Sequence, residues 1–158
     1  MNIKKSQFVS EIELKNRPTI KLVSLSGKGD PALTFDTKMG KVLAWLKSKD
    51  LSPIGYAFGI YYLKRSEVGV ENVKWDACVP VSEITETEGN FKYQELSATK
   101  VISVVLTGGY NLIGPALDWM ESEAKAKGVK TKWPLTEIYI REGDEPITEL
   151  QYLVADQG

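Results

Sequence analysis

Apolar and polar side chains alternate over residues 73–81. Val73, Trp75, Ala77 and Val79 fall on one face, and Lys74, Asp76, Cys78 and Pro80 on the other. A period of two is that of a strand. The face bearing Asp76 and Cys78 must meet solvent, a cavity or a partner. Just upstream, residues 58–63 are a short aromatic and β-branched run, also strand-like. The charged, glycine-containing residues 64–72 between them read as a loop or arm.

The rest of the chain uses the same elements. Residues 11–14 and 19–26 read as strands broken at Arg17-Pro18, and residues 27–31 (Gly-Lys-Gly-Asp-Pro) as a turn cluster. The spacing predicts a helix over residues 35–49, with Phe35, Met39, Val42, Leu43 and Leu46 on one face and Trp45 on its shoulder. Residues 82–90 form an acidic turn region, and its run from Glu83 to Glu88 reads as a solvated linker between the halves. Strands follow at 91–96 and 100–107. A second helix is expected over 112–127, with Asn111 as its cap. Its apolar face is Leu112, Ile113, Ala116, Leu117, Met120 and Ala124, with Trp119 on the shoulder. Pro115 is tolerated in its first turns, and Gly128 ends it. Residues 136–141 and 147–154 are the last two strands.

The pattern is a weak internal repeat, β-β-α-β-β twice, over about residues 8–81 and 91–155. Tyr61 and Tyr139 are repeat mates 78 positions apart, as are Asp50 and Gly128; Asp76 and Glu149 are mates 73 apart. The fold class expected is α+β: antiparallel sheets with two long helices around a central groove. Neither half buries its sheet alone, so the two are expected to pack as one domain over residues 1–158. A groove between repeats is a common place for a small molecule.

Composition narrows the chemistry. The chain has 158 residues, enough for one domain, and a net charge of −1 with a pI near 5.6. Nucleic-acid binding usually leaves a basic stripe, and none is evident. There is no histidine and a single cysteine, Cys78. The commonest general base and metal ligand is therefore missing, along with any intrachain disulfide or zinc cluster. No cofactor is called for. No run approaches the ~20 apolar residues of a membrane span. A soluble, cytoplasmic protein is expected, and a homodimer is left open.

One stretch resembles a known family. F-G-I-Y-Y, then a loop, then W-D-A-C-V-P-V, is similar to the "GIYY…YDVCVPV" segment of the GyrI-like small-molecule-binding domains. These are also called SOUL/GyrI or effector-binding domains, and they occur alone or as the ligand-sensing part of AraC-type and MerR-type multidrug regulators. T-G-G-Y-N-L-I-G-P resembles the family's second helix start, and I-T-E-L-Q-Y-L-V its closing strand. The resemblance covers roughly residues 8–155. Leu153 stands where the family has proline, and Asp30-Pro31-Ala32 replaces an aromatic-bearing helix start. The resemblance implies the GyrI-like fold, with a closing-strand glutamate at the pocket floor. The matching residue is Glu149. A carboxylate beside a sheet core is destabilised by desolvation unless a counter-charge or hydrogen bonds meet it. A ligand cation would supply that charge, and aromatic walls would add about 0.5–2 kcal/mol of cation–π attraction.

The candidate ligand-binding residues are Glu149, Glu137, Phe58, Tyr61, Tyr110, Trp119, Trp133 and Tyr139. Glu149 is also the candidate catalytic residue. Each has a plainer reading. Glu149 and Glu137 could be solvated strand positions, one of Tyr61 and Tyr139 is core, and Trp45 and Trp119 could make interhelix or dimer contacts. Asp76 is read as structural and Cys78 as a small buried residue. Residues 28–30, Lys-Gly-Asp, do not match a phosphate loop.

Three functions fit. The first is a stand-alone module capturing hydrophobic, cationic or aromatic compounds, with no direct contact to nucleic acid or membrane. The second is a hydrolase of strained cyclopropane-bearing xenobiotics, using the same glutamate with a second polar group such as Glu137 or Tyr61. The third is a protein-contact inhibitor of a gyrase-like partner.

Overall fold

Strand β8 (Ile147–Val154) coincides with the closing run of the sequence and lies between β6 (Thr99–Thr107) and β7 (Thr131–Arg141) in an antiparallel sheet. β1 (Glu13–Arg17) adds to the far side of β6, giving the order β1-β6-β8-β7. The computed structural model describes residues 9–83 and 86–155, leaving aside the side chain of Arg65. The other four strands run in the order β5-β2-β4-β3, from β2 (Ile20–Lys28), β3 (Phe58–Tyr61), β4 (Lys74–Pro80) and β5 (Lys92–Leu96). Two long helices complete the chain, α1 (Pro31–Ser48) and α2 (Ile113–Ala126). The fold is α+β, and these strand pairings are antiparallel.

The chain divides into two compact units. One joins the residues up to Arg17 to those from Thr99 onward; the other runs from Pro18 to Ala98. Each sequence repeat therefore gives its first strand to the unit built by the other repeat: β1 pairs with β6, and β5 with β2. Within each unit the repeat is kept in register. Asp76 pairs with Ile60 and Glu149 with Ile138, the same partnership between mates. The helices also end alike. Leu51 N–H donates to Leu46 O (2.9 Å) and Val129 N–H to Ala124 O (2.8 Å), just past Asp50 (φ 56°) and Gly128 (φ 73°). A left-handed residue at this position lets the chain turn back and satisfy carbonyls of the last turn.

α1 starts four residues before the expected start. Asp30 is its N-cap, accepting from Ala32 N–H at 3.0 Å, and Pro31 sits in the first turn. Both are standard helix-start residues. Asn111 does not cap α2. Residues Tyr110–Leu112 make a 3₁₀ turn closed by Leu112 N–H to Gly109 O (3.0 Å), and no side chain caps the helix. β7 starts five residues before the expected strand. A register shift between Lys132 and Leu135 carries Pro134 through the ladder, where a missing N–H would otherwise break pairing.

In the Pro18–Ala98 unit, Phe35, Met39, Val42 and Leu46 of α1 are buried over Val23, Leu25, Trp75, Ala77 and Val79, with Phe35 and Trp75 rings 5.2 Å apart. In the other unit α2 buries Ala116, Met120 and Ala124 on the face carrying Ile102, Val104, Leu150 and Tyr152. Tyr152 OH donates to Glu121 of α2 at 2.9 Å. Each large apolar side chain buried this way contributes about 1.5–3 kcal/mol. Among the described residues no helix is long and apolar enough to cross a membrane.

Candidate functional site

Two carboxylates of one sheet have opposite environments. Residues directly opposite in antiparallel strands share a face, and neighbours along a strand alternate. Leu150 faces Glu137, and Ile138 faces Glu149. Glu137 therefore lies on the face covered by α2, and Glu149 on the reverse face.

Glu149 is met by the protein itself. Its Oε2 pairs with Lys15 Nζ at 2.6 Å and accepts from Ser103 Oγ and Gln151 Nε2, each at 2.7 Å. The network continues as Arg17 donates to Gln151 Oε1 (3.1 Å) and to Thr136 Oγ1 (3.3 Å). Burial alone would push the Glu149 carboxyl up. The bonds from Lys15, Gln151 and Ser103 outweigh it and hold the group below the usual range. The counter-charge expected of a ligand is supplied by Lys15. Nothing local in the sequence announces that pair, since it depends on β1 adding to β6.

Glu137 has no such partner. It is 9% exposed, and it accepts a hydrogen bond from Tyr139 OH at 3.2 Å. Among the described residues no cationic side chain pairs with it. Burial pushes its carboxyl up to about 7, against a small opposing effect of the Tyr139 bond. Tyr139 stands edge-on to Tyr110, ring centroids 6.3 Å apart. Trp133 stands edge-on to Tyr152 at 5.8 Å, and burial together with Glu121 raises the Tyr152 phenol. Thr148, opposite Tyr139 and diagonal to Glu137, is 1% exposed, and its hydroxyl has no hydrogen-bond partner among the described residues. Buried polar atoms are nearly always paired, so the face holding Glu137 and Thr148 has unmet capacity.

The other candidates sit as follows. Trp119 is half-buried on α2. Phe58 and Tyr61 belong to the Pro18–Ala98 unit, where Phe58 is buried and Tyr61 stacks on Phe35 at 6.1 Å. Trp45 stacks on Phe91 at 5.1 Å. Part of the acidic 82–90 region, Ile84 and Thr85, lies outside the described residues.

Asp76 occupies the place equivalent to Glu149 in its own unit. It accepts from Ser26 Oγ at 2.7 Å and Tyr62 OH at 2.6 Å. Burial, and then the bond to Asp76, raises the Tyr62 phenol well above its ordinary value. Beside this triad opens a cleft of about 780 Å³ with Lys28, Lys38, Lys74 and Lys92 on its walls. Cys78 is fully buried, which pushes its thiol well up. Among the described residues no group of three or more carboxylate or thiol side chains is placed to hold a metal ion.

The sequence profile of the GyrI-like small molecule binding domain matches residues 10–155. The chain belongs to that family. Among solved structures it is similar to the EcmrR C-terminal domain, with 20% identity, 95% of this chain and 99% of that one covered, and a TM-score of 0.79. In an EcmrR-DNA complex the TM-score is 0.81 at 21% identity over 92% of this chain. The chain spans only 57% of that longer protein. A hydrolase from Listeria innocua is similar at 13% identity and TM-score 0.67, with 92% of each chain covered. SAV2435 bound to tetraphenylphosphonium is similar at 12% identity and TM-score 0.63, over 92% of this chain and 94% of that one. At these identities the likeness is one of fold. No curated protein matches the chain.

Proposed function

We propose that the protein captures hydrophobic cations on the α2-covered face of the sheet holding Glu137. One observation carries this reading: Glu137 is buried beside aromatic rings, and among the described residues no cation meets it. Charging such a group without a partner is unfavourable, so it holds a proton near neutrality. A lipophilic cation changes that balance. It supplies the counter-charge, and Tyr139, Tyr110 and Trp133 offer ring faces for cation–π attraction. Glu137 thus takes the role that the family resemblance assigned to Glu149, which Lys15 already neutralises. Tetraphenylphosphonium, seen on SAV2435, is a cation of the required kind. The reading needs no DNA-binding element and no membrane, and fits a protein working in the cytoplasm.

A thermal-shift panel tests this. It compares wild type, Glu137→Gln and Glu149→Gln with tetraphenylphosphonium, neutral aromatics and cyclopropane-bearing compounds, with product analysis of every hit. A ligand at 100 times its dissociation constant adds about 2.7 kcal/mol of stability. Cation hits lost in Glu137→Gln and kept in Glu149→Gln, with compounds recovered intact, are expected. Cation hits that survive Glu137→Gln would sink the proposal.

The same carboxyl favours a second reading, hydrolysis. A base held near 7 is well matched to neutral pH. Glu137 and Glu149 do not converge on one substrate atom, since they lie on opposite faces, so a hydrolase here would work from Glu137 alone with tyrosine partners. Ring-opened products lost in Glu137→Gln would select this reading.

A further inference from the structure

The two units differ at one strand edge. In the Pro18–Ala98 unit, Val81 N–H donates to Lys21 O and Gly29 N–H to Val73 O, each at 2.9 Å. Odd-numbered residues of β2 therefore turn their backbone groups to β4, and even-numbered ones turn theirs to the other side, as antiparallel pairing requires. On that other side β5 pairs with β2 only as far as Ser24. Among the described residues, the N–H and C=O of Ser26 and Lys28 meet no strand. The chain that would continue β5 is held elsewhere: Glu88 is ion-paired to Lys49, and Phe91 is stacked on Trp45.

The equivalent edge of the other unit is covered. Val105, the mate of Ser26, receives Ser10 N–H on its carbonyl at 3.0 Å and donates its N–H to Ser10 Oγ at 2.8 Å. Val9 bridges to Leu106 beside it. An extended segment is thus what this place in the fold accepts. Over the β2 edge there is instead the 780 Å³ cleft, walled by Lys28, Lys38, Lys74 and Lys92. The carboxylate on its wall, Asp76, is already engaged by the Ser26 and Tyr62 hydroxyls.

We infer that the open β2 edge at Ser26–Lys28 is a docking site for an extended acidic peptide segment of a partner protein, which adds as a short strand in line with β5. Main-chain groups of Ser26 and Lys28 supply the ladder bonds, and the lysines select carboxylate side chains. A cation would be repelled from this cleft, so the site is separate from the one at Glu137.

Fluorescence anisotropy with a labelled eight-residue peptide alternating glutamate and threonine tests the inference, using the full chain. The wild type is expected to bind it, with affinity falling steeply between low and moderate salt. The double variant Lys74→Glu/Lys92→Glu is expected to weaken binding more than tenfold with an unchanged melting temperature, since both lysines are exposed. N-methylation of the four central peptide groups, which keeps every charge, is expected to weaken it at least tenfold. Glu137→Gln is expected to leave it unchanged, which separates failure here from failure at the cation site. No binding at millimolar peptide would overturn the inference. So would equal binding of the N-methylated peptide, which means charge alone. A wild-type dimer that the lysine reversals disperse would also overturn it, because the occupant would then be a second copy of the chain.

Discussion

Replacing Glu137 by glutamine should make the protein more stable at alkaline pH, relative to wild type, than it is in acid. The folded-state carboxyl titrates at about 7, against an ordinary value of 4.5. A group whose value is raised on folding favours the folded state fully below its unfolded value. That contribution is lost as pH rises through the folded value. At ~1.4 kcal/mol per pH unit, the interval corresponds to about 3 kcal/mol, lost between pH 4.5 and about 7 and constant above. Glutamine keeps the shape and still accepts the Tyr139 hydrogen bond but never charges. Urea unfolding of both proteins from pH 4 to 8.5 measures the difference. Glu137→Gln minus wild type should rise by about 3 kcal/mol over that window, on top of a pH-independent offset from the amide. The window is clean, because the chain has no histidine to titrate in the same range. A difference that stays flat from pH 5 to 8 would refute the account of Glu137 as a buried carboxyl without a counter-ion.

Other expectations follow from the same contacts. Glu149→Gln should act in the opposite direction: its folded-state value is lowered, so wild-type stability is present above the ordinary carboxylate value and falls as pH drops through the folded one. Acid unfolding followed by circular dichroism should show a shallower acid limb in the variant. Gly27→Ala drives a methyl into the indole of Trp75, which is 1% exposed and cannot move aside, so chemical denaturation should report a loss of about 1–3 kcal/mol. Leu150→Ala empties a fully buried site under α2, and the same assay should report a loss of about 2–5 kcal/mol. Cys78 should resist a thiol reagent in the folded protein and react stoichiometrically in denaturant, because it is fully buried with a raised thiol value.

Much of the fold is legible in the sequence because its signals are local. The alternation over residues 73–81 puts Trp75, Ala77 and Val79 under α1, as periodicity demands. The 78- and 73-residue offsets reappear as matched pairing of Ile60 with Asp76 and Ile138 with Glu149. What is not legible is set by distant pairing. The exchange of first strands between repeats depends on β1 meeting β6 rather than β2, and no local pattern marks it. That exchange brings Lys15 to Glu149, while Glu137 meets no counter-charge among the described residues. The two glutamates look alike in the sequence. They part only when register fixes the face of each, since neighbouring positions on a strand point opposite ways. The start of α1 at Pro31 was within reach, because Asp-Pro is a helix-start signature as well as a turn.

Isothermal titration of tetraphenylphosphonium into wild type, Glu137→Gln and Glu149→Gln at pH 6 and pH 8 tests the central claim most directly. Binding that requires an ionised Glu137 should strengthen about tenfold in the wild type over that interval, with proton release at pH 6. It should be lost in Glu137→Gln and persist in Glu149→Gln. Binding by wild type that is independent of pH and indifferent to Glu137→Gln, or abolished only by Glu149→Gln, would contradict it.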